Sequence, residues 1–179
     1  MVDDSEIVKT INKYMHGNPS AQHVLMPLYD ALRDHAARRG QCSHNNRCPI
    51  VKAGALLVDE RERVLALKNG TGWSFAEGEP EPGDTTLGET ALRVLREHAG
   101  VYDVWTMPEL EDQPLIIDVT PADPEDGPRV RVGFRYLFRA HSGALLPAMI
   151  ESGRARWRPL EEVNPLIAER LQECMAVAL

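Results

Sequence analysis

The stretch from Ala53 to Gly100 constrains the fold most. Ala53 to Val58 and Arg63 to Leu67 read as two strands joined by the polar turn Asp59-Glu60-Arg61-Glu62. A loop rich in Gly, Pro and Glu then runs from Asn69 to Asp84. A helix follows from about Thr86 to Ala99, with Asp84 or Thr85 as its cap and Gly100 just past its end.

The flanking segments extend this pattern. Asp4-Ser5-Glu6 opens a short helix with Ile7, Ile11 and Tyr14 at helical spacing, broken at Gly17-Asn18-Pro19-Ser20. A second helix spans about Ala21 to Arg39, with Leu25, Leu28, Leu32 and Ala36 as its apolar stripe and Gly40 after it. Beyond the central helix, Leu115 to Val119 reads as a strand and Asp123 to Gly127 as a turn-rich loop. In Val130 to Arg139, Val130, Val132, Phe134, Tyr136 and Phe138 share one face, and Arg131, Gly133, Arg135, Leu137 and Arg139 the other. Ala155 to Arg158 is a short strand. A last helix, about Asn164 to Val177, carries Leu166, Ile167, Leu171, Met175 and Ala178. Strands and helices do not alternate regularly, so the reading is α+β, a mixed sheet with helices packed on it. The division expected is a helical extension over 1–48 and one domain over 49–179.

Composition narrows the partners. The formal charge is -7 with basic residues scattered, which argues against a nucleic-acid surface and leaves small molecules as the default ligand. The start Met1-Val2-Asp3-Asp4 is acidic, unlike a secretory leader, and no apolar run approaches the roughly 20 residues that span a bilayer. The expectation is a cytoplasmic protein with no membrane partner and reduced thiols. Cys42, His44 and Cys48 form a cluster one ligand short of a four-coordinate zinc site. The plainer reading is a loop with two thiols. The N-terminal helices offer a surface for a homodimer.

From Trp73 the chain reads Trp-Ser-Phe-Ala-Glu-Gly-Glu-Pro-Glu-Pro-Gly-Asp-Thr-Thr-Leu-Gly-Glu-Thr-Ala-Leu-Arg-Val-Leu-Arg-Glu-His-Ala-Gly-Val. This resembles the Nudix box, Gly-x5-Glu-x7-Arg-Glu-U-x-Glu-Glu-x-Gly-U with U apolar. Gly78 takes the place of the first glycine and Asp84 that of the first glutamate, while Arg93, Leu95, Glu97, Gly100 and Val101 match the second half. Eight residues separate Asp84 from Arg93, as in relatives that read Gly-Asp-x-x-Leu here. The resemblance continues through Pro114 to Val119, Phe134 to Arg139 and Trp157 to Val163, and so covers roughly 49 to 179. It implies a Nudix-type α/β/α sandwich with a mixed sheet, and a ligand with a diphosphate linkage.

A standard box helix supplies three glutamates at i, i+3 and i+4, which share one face and hold Mg²⁺ beside substrate phosphates. Water attacking phosphorus is then activated by the metal. Here those positions read Val94, Glu97 and His98. Glu97 is the expected key carboxylate, with Arg93 pairing to Glu89 or Glu97 and orienting it. His98 ligates or interacts with the helix dipole, and imidazole suits Mn²⁺ better than Mg²⁺. Val94 alone reads as packing. Glu77, Glu79, Glu81, Glu161 and Glu162 are further carboxylates, with Glu81 expected as the extra ligand. Gly78, Arg135 and Trp73 are the substrate-binding candidates: Arg135 as a bidentate phosphate ligand, Trp73 stacking on a base. For Arg131 and Arg139 a solvated face or salt bridges is the plainer reading.

Three functions fit. One is a divalent-metal-dependent hydrolase of a nucleoside diphosphate linked to another group, with a weakened Mg²⁺ or Mn²⁺ site. Another is a Nudix-fold binding or regulatory module that recognises such a ligand without cleaving it. A third is a pathway enzyme with altered chemistry at the same site.

Overall fold

The computed structural model describes residues 2–37, 48–110 and 113–177. Among them, α1 (Asp4–Gly17) and α2 (Gln22–Ala37) come first. Then follow β1 (Ile50–Val58), β2 (Val64–Asn69), β3 (Gly72–Ser74), β4 (Ala76–Gly78) and α3 (Leu87–Ala99). The chain closes with β5 (Ile116–Pro121), β6 (Val130–Arg139), α4 (Pro147–Glu151), β7 (Ala155–Arg158) and α5 (Pro165–Val177). No helix among the described residues is long and apolar enough to cross a membrane.

One mixed sheet organises the molecule, in the order β3-β2-β1-β6-β5, with β4 paired to β1 and β7 to β2. β1 and β6 run parallel from Ile50↔Arg131 to Val58↔Arg139, while β5 is antiparallel to β6. A parallel pair at the centre of a sheet is covered on both faces. β1 accordingly reads as an almost unbroken buried run. Its alternation sorts side chains into two layers. Ala53, Ala55 and Leu57 join a core with α1, α2 and α3. Leu56 and Val58 join a second core with Leu171 and Met175 of α5. β6 does the same: Val132, Phe134, Tyr136 and Phe138 face the first layer and Leu137 the second. Phe134 is fully buried, which is worth about 1.5–3 kcal/mol of hydrophobic stabilisation. The result is a sheet between two helical layers.

The stripe of the N-terminal helices packs within the chain. Ile7, Ile11 and Tyr14 of α1 and Leu25, Leu28 and Leu32 of α2 belong to the same buried cluster as α3. Asp3 caps α1, its carboxylate accepting from the Glu6 amide at 2.9 Å.

Several local expectations change. The Asn69–Asp84 segment is not a plain loop, because Gly72–Ser74 pairs with β2 and Ala76–Gly78 with β1. The cap of α3 is Thr86, whose hydroxyl accepts from the Glu89 amide at 3.1 Å. Asp84 is drawn inward to other partners, and Thr85 binds Glu89 instead. Leu166 is 71% exposed, since it opens α5 on the side away from the sheet. Cys48 is disulfide-bonded rather than a free thiol, and Cys174 is free. The expected end of α2 at Arg39 and Gly40, the residues Cys42 and His44, and Ala178 lie outside the described residues.

Candidate functional site

The site begins where β4 meets α3. Gly78 ends β4, and a β-carbon there would lie 2.6 Å from Val94 Cγ1. Only glycine lets the strand come this close to the helix. Val94 is 1% exposed and belongs to the main core, packed beside Ala91 and Leu95. Leu92 is only partly buried against that core.

Asp84 is the anchor of the loop between strand and helix. Its carboxylate accepts from the Glu81 amide at 2.9 Å, the Thr90 hydroxyl at 2.9 Å and Arg93 Nη2 at 3.0 Å. At 5% exposed, burial alone would push its pKa up. The hydrogen bonds from Arg93, the Glu81 amide and Thr90 outweigh burial and hold the carboxyl below its usual value. Arg93 is the hub. Besides Asp84 it donates to the Glu79 carbonyl at 2.8 Å, to Glu81 Oε1 at 3.0 Å and to Glu97 Oε2 at 3.1 Å. Helical spacing left Glu89 open as a partner of Arg93. Glu89 instead accepts from the Thr85 amide at 2.7 Å and hydroxyl at 2.6 Å, closing the helix N-terminus.

On the sheet side, Arg135 of β6 pairs with Glu77 of β4 and with Asp118 of β5, the latter at 3.0 Å. Its side chain is 15% exposed. Gly54 makes room, since a β-carbon there would stand 3.0 Å from Arg135 Nη1 and 2.8 Å from the Ala76 carbonyl. Burial works against the charged guanidinium, but Glu77 and Asp118 more than compensate and raise its pKa. Arg131 pairs with Asp123 at 2.5 Å, away from this group.

Between these two ion-paired systems lies a cleft of about 500 Å³. Glu77, Glu97 and His98 line it, together with Lys52, Lys68 and Arg154. Trp73 sits half-buried beside it on β3. The Arg156 guanidinium lies 4.3 Å from the Trp73 ring centre and the Lys68 ammonium 5.1 Å. The structure thus brings Glu97 and His98 together in one cleft, with Arg93 behind Glu97. Glu81 is tied to Arg93 on the outer side. Glu162 pairs with Arg158 at 3.2 Å and Arg156 at 3.5 Å. Lys52, Lys68 and Arg154 escaped the sequence reading, because each is an isolated basic residue on a different segment.

The donors do not suit Mg²⁺. Such a site wants several free oxygens in near-octahedral array. Val94 offers none, and Glu97, Glu81 and Glu77 each already give one oxygen to Arg93 or Arg135. Among the described residues no three His, Cys, Asp or Glu side chains are grouped to hold one metal ion.

The sandwich, the glycine-to-helix contact and the Asp84–Arg93 anchor define a Nudix domain. The chain belongs to that family: the family's model, the NUDIX domain, matches residues 49–176. Among solved structures it is similar to the Ap4A hydrolase of C. elegans, at 14% identity over 73% of this chain and 99% of that one, with a TM-score of 0.50. A NUDIX-family hydrolase of Clostridium perfringens is 16% identical over 70% of this chain and 97% of that one, TM-score 0.50. Shewanella oneidensis NrtR is 18% identical over 70% of this chain, TM-score 0.48, and the chain spans only 62% of NrtR's length. At these identities the likeness is one of fold. No curated protein matches the chain by sequence.

Proposed function

We propose that this Nudix chain is a binding module for a small, nucleotide-like diphosphate, taken up in the Glu97 cleft, with its hydrolytic capacity impaired. One observation carries the reading. The box position after Arg93, where the family pattern places a glutamate, holds Val94, sealed against Gly78 at 1% exposure. The cationic lining of Lys52, Lys68 and Arg154 supports an anionic ligand. Trp73 is proposed as a stacking face for a base, its ring already attracting Lys68 and Arg156. Arg135 serves this reading as a positioning residue for Glu77 rather than as a direct phosphate ligand. Residues 49–179 form the ligand-binding domain in this proposal, and 1–48 its helical extension.

The hydrolase reading retains one specific support, the placement of Glu97 by Arg93 beside His98 in the cleft. It requires Mn²⁺ or another nitrogen-tolerant metal. Calorimetric titration with ADP-ribose, run beside an assay of phosphate and nucleoside monophosphate release in Mg²⁺ and in Mn²⁺, separates the two. Saturable binding with negligible turnover is expected. Sustained Mg²⁺-dependent turnover that disappears in Glu97→Gln would replace the binding reading with the enzymatic one.

A further inference from the structure

Building on the binding role proposed above, we infer that the cleft takes its diphosphate as the free anion, with protein cations in place of a divalent metal. Both carboxylates lining the cleft already hold a cation of the fold through one oxygen each. Glu97 accepts from Arg93 at 3.1 Å, and Glu77 is paired with Arg135. Three more cations line the same cleft, and Lys52, Lys68 and Arg154 have no ion-pair partner among the described residues. Lys68 donates only a long bond, 3.4 Å, to the Thr71 carbonyl.

A cation entering this cleft meets the like charges of Lys52, Lys68 and Arg154 in its lining. At Glu97 it must share the carboxylate with the Arg93 guanidinium, which already holds Oε2. At Glu77 it must share the carboxylate with a guanidinium that is 15% exposed and also bound to Asp118. Placing a second cation beside a mostly buried guanidinium costs Coulombic repulsion. A diphosphate meets three cations that have no ion-pair partner among the described residues. Its oxygens match ammonium and guanidinium donors directly. Chelation by Mg²⁺ removes two negative charges from the ligand and occupies the oxygens that those donors would contact. Mg²⁺ therefore acts as a competitor for the ligand rather than as a bridge to it.

The test is calorimetric titration of the full chain with inorganic pyrophosphate, in EDTA and in excess MgCl₂ at matched ionic strength. Binding in EDTA is expected, weakened at least threefold by Mg²⁺. The exposed double variant Lys68→Ala, Arg154→Ala should weaken the EDTA affinity at least tenfold. Affinity unchanged or raised by Mg²⁺, or binding only in its presence, overturns the inference while leaving the binding role intact. Absence of binding under both conditions overturns the inference, and it removes the binding role as well if ADP-ribose also fails to bind. Independently of any ligand, Mn²⁺ titrated into the chain should keep its free-ion electron paramagnetic resonance signal. A bound Mn²⁺ that is lost in Glu97→Gln would overturn the inference.

Discussion

Gly78 and the Val94 side chain interlock the strand and the box helix, since a β-carbon at Gly78 would lie 2.6 Å from Val94 Cγ1. The two positions are therefore coupled. Gly78→Ala should destabilise the fold by about 1–3 kcal/mol through overpacking, since valine has little rotamer freedom to move aside. Adding Val94→Ala should recover much of that loss. Urea denaturation of the wild type, both single variants and the double variant gives the coupling energy. Additive single effects would mean that the two side chains do not compete for the same space.

The same contact changes what a restored box would do. From sequence alone, replacing Val94 and His98 by glutamate is expected to raise Mg²⁺-dependent hydrolysis provided the remaining geometry is intact. In the structure a glutamate at 94 would bury a carboxylate where valine is 1% exposed. Burial of an unpaired charge is costly. The Val94→Glu, His98→Glu variant should show a lowered Tm and no gain in phosphate release. His98→Glu alone, at an exposed position, should keep the wild-type Tm. A stable, active double variant would show that the helix can shift away from Gly78.

Asp84 ties stability to acid. Its folded pKa lies below the unfolded value of about 3.9, so its contribution is complete at neutral pH and disappears as pH falls through the folded value. Asp84→Asn should cost roughly 1–3 kcal/mol at pH 7, because Arg93 and Thr90 lose a charged acceptor. The variant should also flatten the acid limb of the stability curve, measured by denaturant midpoints between pH 2 and pH 7. An unchanged acid limb would assign the pH dependence to other carboxylates.

Glu60 provides a second acid marker, far from the cleft. The Ser142 hydroxyl and amide donate to its two oxygens at 2.6 and 2.7 Å. Its pKa is lowered to about 2, chiefly by the Ser142 hydroxyl. Carboxyl-detected NMR titration should find Glu60 ionised well below the range of ordinary glutamates. In Ser142→Ala its pKa should rise toward the usual value. A normal Glu60 titration in the wild type would mean that this contact does not persist in solution.

Local signals determined the parts of this protein that depend on near neighbours. Helical spacing with Gly100 as its stop marked α3, and period-two alternation of Val132, Phe134, Tyr136 and Phe138 marked the buried face of β6. The box residues Gly78, Arg93 and Glu97 identified the family from one contiguous segment. Tertiary structure decided everything that joins distant segments. Helical spacing brings both Glu89 and Glu97 within reach of Arg93, and only the path of the 79–86 loop sends its other donors to Asp84 and Glu81. Arg135 finds Glu77 and Asp118 because β4, β1, β6 and β5 lie side by side in one sheet. Lys52, Lys68 and Arg154 share a cleft with Glu97 for the same kind of reason. A helix or strand period reports which face a residue takes within its own element. Which two faces meet is decided by sheet register and helix packing, and these are cooperative properties of the whole chain.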